Sequence, residues 1–535
     1  MNNQATLVKT IDPRLNLTAS KVFTTSQGAS YLDERRFGPT SAVGTAINFQ
    51  CNPPNRNIVV SREVIKEVEF KVVITGLSVS ATPVDIFAPY AIAPAYMPIS
   101  RVTKNENMVI GQATVQAQNA DILHEAFCRY DDDKEYSASP NMNDTYLNFA
   151  DVDGSIRSAL APYGDTFGDM NSRASFYTFV DNFGLSQQSV ATIGSNNTVI
   201  LRYRVEEPLK IAPFAFGKNS QNVEGFYGID TMNYSAQFGD LNKAVSYNLD
   251  NINLSDVNVV TTIESFNLRF KNLTPQLTQP IPRNALYSYY ETIVRTSGNI
   301  TVPKGSRTTR QEINLQLSGI PRRVYMMCRE RDTSGTKPMR YLSLVSGSLG
   351  IKINGQPSLT DQDNQTIYKM CRRNGLNLNY SQFTQYTGSV VCVDFGKGDI
   401  ALHPEQAPAV SQKNEFQFFA TYDNKSNDAK DGDFDGEFTV IVVYDGVFRM
   451  EDGNTSKQIN PLTEQAILSA PTDLKLHEDK TPDNVYGGNL CSGLKRVSQI
   501  GELAGKAHSS VCSGSGLQNA NGGRMVSRAS LRNRY

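Results

Sequence analysis

EFTVIVVYDG, residues 437–446, is the stretch whose reading decides the fold. Apolar side chains fill both of its faces from Phe438 to Tyr444, with Thr439 the one polar exception. A run of this kind cannot leave one side in water, so it reads as a strand in the interior of a sheet. Working back from it, EFQFFATY (415–422), SVVCVDFG (389–396), SLGIKING (348–355) and VYMMCRE (324–330) read as further strands, and Ile313, Leu315 and Leu317 alternate with Asn314 and Gln316. One helix interrupts, from about Thr360 to Arg373. Thr360 or Asp361 can cap it, Ile367, Met370 and Cys371 give it an apolar side, and Gly375 can end it.

The same grammar runs once before. In Val64–Thr75 the even positions Val64, Val68, Phe70, Val72 and Ile74 are apolar, broken only by Lys66, while Glu67, Glu69 and Lys71 face the other way. Val199, Leu201, Tyr203 and Val205 alternate with Arg202 and Arg204, and Phe266, Leu268 and Phe270 with Asn267 and Arg269. A short helix is expected at Ile122–Tyr130, where Leu123, Phe127 and Tyr130 share a face. TPQLTQPIP (274–282) separates the two blocks, because proline lacks the amide donor that a central strand needs. The division expected is an N-terminal arm (1–40), a first β unit with long loops around 131–197 (41–285), a second β unit (286–452) and a C-terminal extension (453–535), in which the β pattern stops and Pro461–Ala470 is helical.

The 535 residues carry a net charge of −1, which argues against a nucleic-acid binder as a whole. No stretch approaches ~18 consecutive apolar residues, and the first residues, MNNQATLVKTIDPRLN, lack the charged-then-apolar layout of a secretory leader. The odd set of seven cysteines contains no CxxC pair and reads as reduced thiols of a chain made inside a cell. Charge is uneven, however. Beyond Cys491, Lys495, Arg496, Lys506, Arg524, Arg528, Arg532 and Arg534 face Glu502 alone. Gly493–Gly505 forms a short basic amphipathic helix, and the Gly/Ser/Asn/Arg-rich remainder is expected to be flexible in isolation. Lys495, Arg496, Arg524, Arg528, Arg532 and Arg534 are therefore candidate docking residues for nucleic acid, an acidic lipid surface or an acidic protein.

Catalytic patterns fail. His124–Glu125 begins an H-E-x-x-H, but Cys128 stands where the second histidine must be, so His124 reads as a structural histidine. No G-x-S-x-G and no phosphate-binding Gly-rich loop occurs, and no cofactor is implied. Asp431, Asp433 and Asp435 copy the first half of a calcium loop, yet position twelve is Val442 and the flanks read as strands, so a solvated acidic hairpin tip is the better expectation.

SGIPRRVYMMCRERD (318–332), YLSLVSGSLGIKINGQPSLTDQDNQTIYKMCRRNGL (341–376), GSVVCVDFGKGDIAL (388–402) and FTVIVVYDGVF (438–448) follow one another in an order that resembles the second half of double jelly-roll major capsid proteins. The likeness is nearest to the Polinton-like, virophage and adintovirus groups of the tectivirus–adenovirus lineage. LRYRVEEPLKIAPFAFG (201–217) and GFYGIDTMNYSAQF (225–238) resemble the late strands of the family's first roll. Gly398 is a departure, and nothing after 452 resembles the family. The resemblance implies an all-β fold of two consecutive eight-stranded jelly rolls with short inserted helices. It implies homotrimers of near-hexagonal outline that tile an icosahedral shell in the virion of a DNA virus, with neighbouring trimers, penton and minor or cement proteins as partners and no enzymatic activity. The loops at 131–197 would form outward towers, and the N-terminal arm and basic tail would face genome, internal membrane or cement protein. The alternatives are a viral spike, penton-like or adhesin sandwich, and a β-sandwich glycoside-processing enzyme. An adhesin needs an export signal, and a hydrolase needs two converging acids.

Overall fold

A computed structural model describes residues 31–469 apart from 78–91, 131–175, 180–189, 215–224, 248–257, 276–283, 332–340, 397–399, 401–406, 409–411, 425–432 and a few shorter gaps. Eight main strands make up the first block: β1 (Tyr31–Phe37), β2 (Ala46–Gln50), β3 (Ile65–Leu77), β4 (Thr103–Ile110), β5 (Ala113–Gln118), β6 (Asn196–Pro208), β7 (Met232–Phe238) and β8 (Asn258–Thr274). Eight more make up the second: β9 (Asn284–Thr296), β10 (Gln311–Leu317), β11 (Arg323–Glu330), β12 (Gly350–Ile353), β13 (Gln356–Leu359), β14 (Val391–Asp394), β15 (Asn414–Ala420) and β16 (Phe434–Glu451).

The first block forms one sheet in the order β1-β8-β3-β6 and another in the order β2-β7-β4-β5. The second forms β9-β16-β11-β14 and β10-β15-β12-β13. Counting strands within each block, both read first-eighth-third-sixth and second-seventh-fourth-fifth, and all the ladders are antiparallel. This interleaving of two four-stranded sheets is the jelly roll. The chain is two of them in series, joined across the proline-rich stretch between Thr274 and Asn284.

The alternation seen in the sequence is the inside-outside pattern of these sheets. Val64, Val68, Phe70 and Val72 are buried, as are Tyr203, Val205, Phe266, Leu268 and Phe270. Lys66, which breaks the apolar series, keeps its inward place and is fully buried. The stretch Phe438–Tyr444 is buried on both faces within β16, which runs for 18 residues. Buried apolar residues of both rolls make one contiguous core.

Helices occupy corresponding places. After α1 (Pro98–Val102), α2 (Ala120–Arg129) follows the fifth strand of the first roll, and α3 (Asn364–Arg373) follows the fifth strand of the second. The expected helix start at Thr360 or Asp361 is corrected by the structure. Asp361 has φ +56°, outside helical space, and the cap is Asp363, whose carboxylate accepts from Thr366 N at 2.7 Å. Gly375 ends the helix with φ +98°.

Two strands extend the β structure beyond the expected limits. β1 lies within the segment read as an arm, and its side chains are exposed on both sides for most of its length, which erases the alternation. A further strand, β17 (Asn454–Ile459), pairs with the end of β16 through a tight turn at Asp452 and Gly453, both at positive φ. The helical expectation for Pro461–Ala470 narrows to α4 (Glu464–Ser469). Within the 131–197 loop, Phe176–Phe179 and Val190–Ile193 pair with β6, and the rest lies mainly outside the described residues.

Candidate functional site: the junction between the rolls and the faces around it

The two rolls meet where α2 of the first lies on the β9-β16-β11-β14 sheet of the second. Phe127 packs edge-on to Tyr290 on β9 and against Tyr325 on β11, each at 5.6 Å between ring centres. Tyr130 packs on Tyr325 at 5.3 Å, and its hydroxyl donates to the carbonyl of Val390. Burial raises the Tyr130 pKa well above the ordinary phenol range, so the donor stays protonated. Arg129 lies 4.2 Å over the ring of Tyr341. Beneath this contact Arg323 and Asp394, neighbours across β11 and β14, form a two-pronged ion pair with both side chains about 1% exposed.

A second contact joins the β4–β5 turn to β17. The Thr455 hydroxyl accepts from Gln112 N and Ala113 N at 3.0 Å each and donates to the carbonyl of Ile110. Glycines allow the backbones to touch here. Gly453 sits at φ +84°, and a Cβ on it would stand 2.4 Å from the carbonyl oxygen of Gly228. Nearby, the Tyr287 hydroxyl donates to Gly225 O at 2.7 Å, and Phe226 packs against both Tyr287 and Phe448. The surface dips where Gln112, Thr114 and Gln116 meet Thr455, Ser456 and Lys457.

Inside the first roll, Glu106 on β4 faces Lys66 of the opposite sheet at 3.2 Å, the Tyr234 hydroxyl at 3.0 Å and His124 Nε2 of α2 at 3.2 Å. All are buried. Burial alone would raise the Glu106 pKa, but the charge of Lys66 and the bonds from His124 and Lys66 outweigh it and hold the carboxyl at about 2. Burial lowers the His124 pKa against the opposing pull of Glu106, and Lys66 and Lys210 lower it further. His124 is thus a neutral structural donor that pins α2 to β4, and the Lys66–Glu106 pair carries the link across to the other sheet. The cluster was invisible in the sequence because Lys66, Glu106, His124 and Tyr234 belong to four elements.

Of the calcium candidates, Asp433 accepts from Lys304 N at 3.1 Å, Asp435 sits in the ladder opposite Thr301, and Asp431 lies outside the described residues. Among the described residues no group of three His, Cys, Asp or Glu side chains is placed to hold a metal. Lys495, Arg496, Arg524, Arg528, Arg532 and Arg534 lie outside the described residues. Cys51, Cys128, Cys328, Cys371 and Cys392 are buried free thiols, and burial pushes Cys51 up to about 12.

Comparison with known proteins agrees with this architecture. Residues 4–267 match the family model described as the Sputnik virophage major capsid protein 1st domain. Capsid protein V20 of Sputnik virophage is 23% identical over 555 residues, covering 95% of this chain and 89% of that protein. The cryo-EM structure of the Sputnik virophage superposes with a TM-score of 0.66 at 19% identity, over 90% of this chain and all of that one. The crystal structure of the mavirus major capsid protein gives 0.66 at 15% identity, over 89% of this chain and all of that one. A matched first domain, a capsid relative spanning nearly the whole chain, and the same strand order in both rolls lead to one conclusion: the chain is a major capsid protein of the virophage type, a structural protein of the virion and not an enzyme.

Proposed function

We propose that the chain forms homotrimers of near-hexagonal outline that tile an icosahedral shell. The observation that carries this reading is the repetition of one strand order in two rolls fused side by side over a shared core. Three such chains present six nearly equivalent lobes, and closing a ring of three uses heterologous contacts, in which each copy offers a different surface to each neighbour. Self-association belongs to a capsid subunit. The trimer, penton and cement or minor-protein contacts and the role of the cationic tail are the finer parts of the proposal. Lys495, Arg496, Arg524, Arg528, Arg532 and Arg534 suit a polyanionic partner beneath the shell: genome, acidic membrane or acidic protein. Assembly takes place inside the host cell, in keeping with five buried cysteines that form no disulfide.

Sedimentation equilibrium of the full chain tests the reading. With 59.0 kDa per chain, a trimer is about 177 kDa. That mass at micromolar concentration is expected, and a stable monomer would contradict it.

A further inference from the structure

The helix that ties the rolls together also carries the one histidine among the described residues, the side chain whose ordinary pKa lies nearest neutral pH. On α2, His124 and Cys128 stand four residues apart and share the side turned to the first roll, where His124 Nε2 lies 3.2 Å from Glu106 on β4 and the Cys128 thiol 3.5 Å from Met97, just before α1. Phe127 and Tyr130, three apart, share the side turned to the second roll. Around His124 the charges already cancel. Lys66 on β3 and Lys210 just after β6 are the cations, Glu106 on β4 and Glu207 on β6 are the anions, and Glu207 stands opposite Lys66 in the ladder. These four side chains and His124 are fully buried. Glu207 is engaged by the amides of Ile99 and Ser100 and by the Ser100 hydroxyl, at 2.8, 3.0 and 2.7 Å. Tyr234 and Cys51, which also face the cluster, are kept neutral by burial, and on α2 itself Asp121 lies within electrostatic reach of Arg329 in the second roll. A proton on His124 would therefore be an extra positive charge in a closed, balanced site.

We propose that α2 is an acid-released latch: proton uptake at His124 frees the helix from the first roll and so undoes its contact with the second, leaving the rolls joined through the contact around Thr455. That second contact is made of a hydroxyl, backbone amides and aromatic rings, with Arg62 over Tyr287, and among the described residues it holds no histidine. The direction follows from linkage. Burial lowers the folded pKa of His124 against the pull of Glu106, and Lys66 and Lys210 lower it further, so the stability it gives is complete above about 6.5 and is lost as pH falls below that. One proton taken up on opening raises the opening equilibrium by up to about 10-fold between pH 7.5 and 5.5. A capsid subunit built this way is rigid at neutral pH and loosens in an acidic compartment.

Hydrogen exchange, corrected for its intrinsic pH dependence, and hydroxyl-radical footprinting of the full chain at pH 7.5 and 5.5 test the latch. Opening of 120–130 is expected to rise by up to about 10-fold at the lower pH, with increased labelling of the buried Tyr325 on the second roll, while 454–459 keeps its protection. His124→Gln keeps a side-chain amide to donate to Glu106 but takes up no proton, so it should flatten the response. Lys210→Met removes one of the opposing cations and should weaken it. Each variant is compared with itself at the two pH values, so a lower overall stability does not mask the result. Opening of 120–130 that is the same at both pH values in the parent would overturn the proposal, as would a looser α2 without labelling of Tyr325, an equal change in 454–459, or a response that persists undiminished in His124→Gln.

Discussion

The two rolls share a strand order but not an outer face. In the second roll, β11 and the centre of β16 are buried on both sides, and α2 of the first roll packs on this sheet through Tyr325 of β11 and Tyr290 of β9. In the first roll, the matching face is a ladder of charges. Arg269 on β8 reaches Glu34, Glu67 and Glu206 at 2.9, 2.8 and 2.6 Å, and Arg204 meets Glu69 at 3.2 Å. Each roll even carries an ion pair between its third and sixth strands: Arg204–Glu69 in the first and Arg323–Asp394 in the second. The first is open to water and the second is sealed. One topology therefore serves two environments, and the side chains differ according to which face the chain itself covers.

The largest effect should come from unbalancing the sealed pair. Arg323→Ala leaves Asp394 buried without its partner and should cost about 3–5 kcal/mol in urea unfolding. A cost near zero would mean that water reaches this face and that the rolls are not sealed against each other.

Acid should separate the rolls next. The first roll holds His124, the one histidine among the described residues, against Glu106, Lys66, Tyr234 and Lys210. Its folded pKa is lowered, so the stability it contributes is complete above about 6.5, its unfolded value, and is lost as pH falls below that. The Glu106 contribution is complete above about 4.5 and drains as pH falls towards about 2, a total on the order of 3 kcal/mol. Hydrogen exchange at pH 7, 5.5 and 4 should show β3, β4 and α2 loosening before β11 and β16. Simultaneous loosening would show that the buried cluster does not set acid stability.

Thr455→Val should cost about 1–3 kcal/mol, because it strips the partner from two amides and a carbonyl in the turn that ties β17 to the first roll. The readout is a lowered unfolding midpoint together with faster exchange at 110–113. The smallest effect belongs to Arg204→Ala, about 0–1 kcal/mol, since that pair stands in water. A cost like that of Arg323→Ala would erase the distinction between the two faces.

How far the chain can be read from its residues follows the same distinction. Faces that meet water on one side announce themselves by alternation, as in Thr198–Val205, and doubly covered strands by continuous apolar runs, as in 438–444. β1 gave no such signal because neither of its sides is buried in one chain. β17 was missed although Asp452-Gly453 is a hairpin signal, because Asn454–Ile459 is mostly exposed and polar. The family likeness came from phrases in the rolls, and those phrases carry the fold. The junction was not legible: Phe127, Tyr130, Tyr290, Tyr325 and Tyr341 are spread over more than two hundred residues, and only folding brings them together. The basic tail remains a reading of composition.

Negative-stain class averages of the purified full chain at micromolar concentration test the central claim most directly. Two equivalent rolls per chain predict six lobes around a threefold axis in a particle of about 177 kDa, three times 59.0 kDa. Two-lobed single chains, or rings whose lobe number is not six, would contradict it.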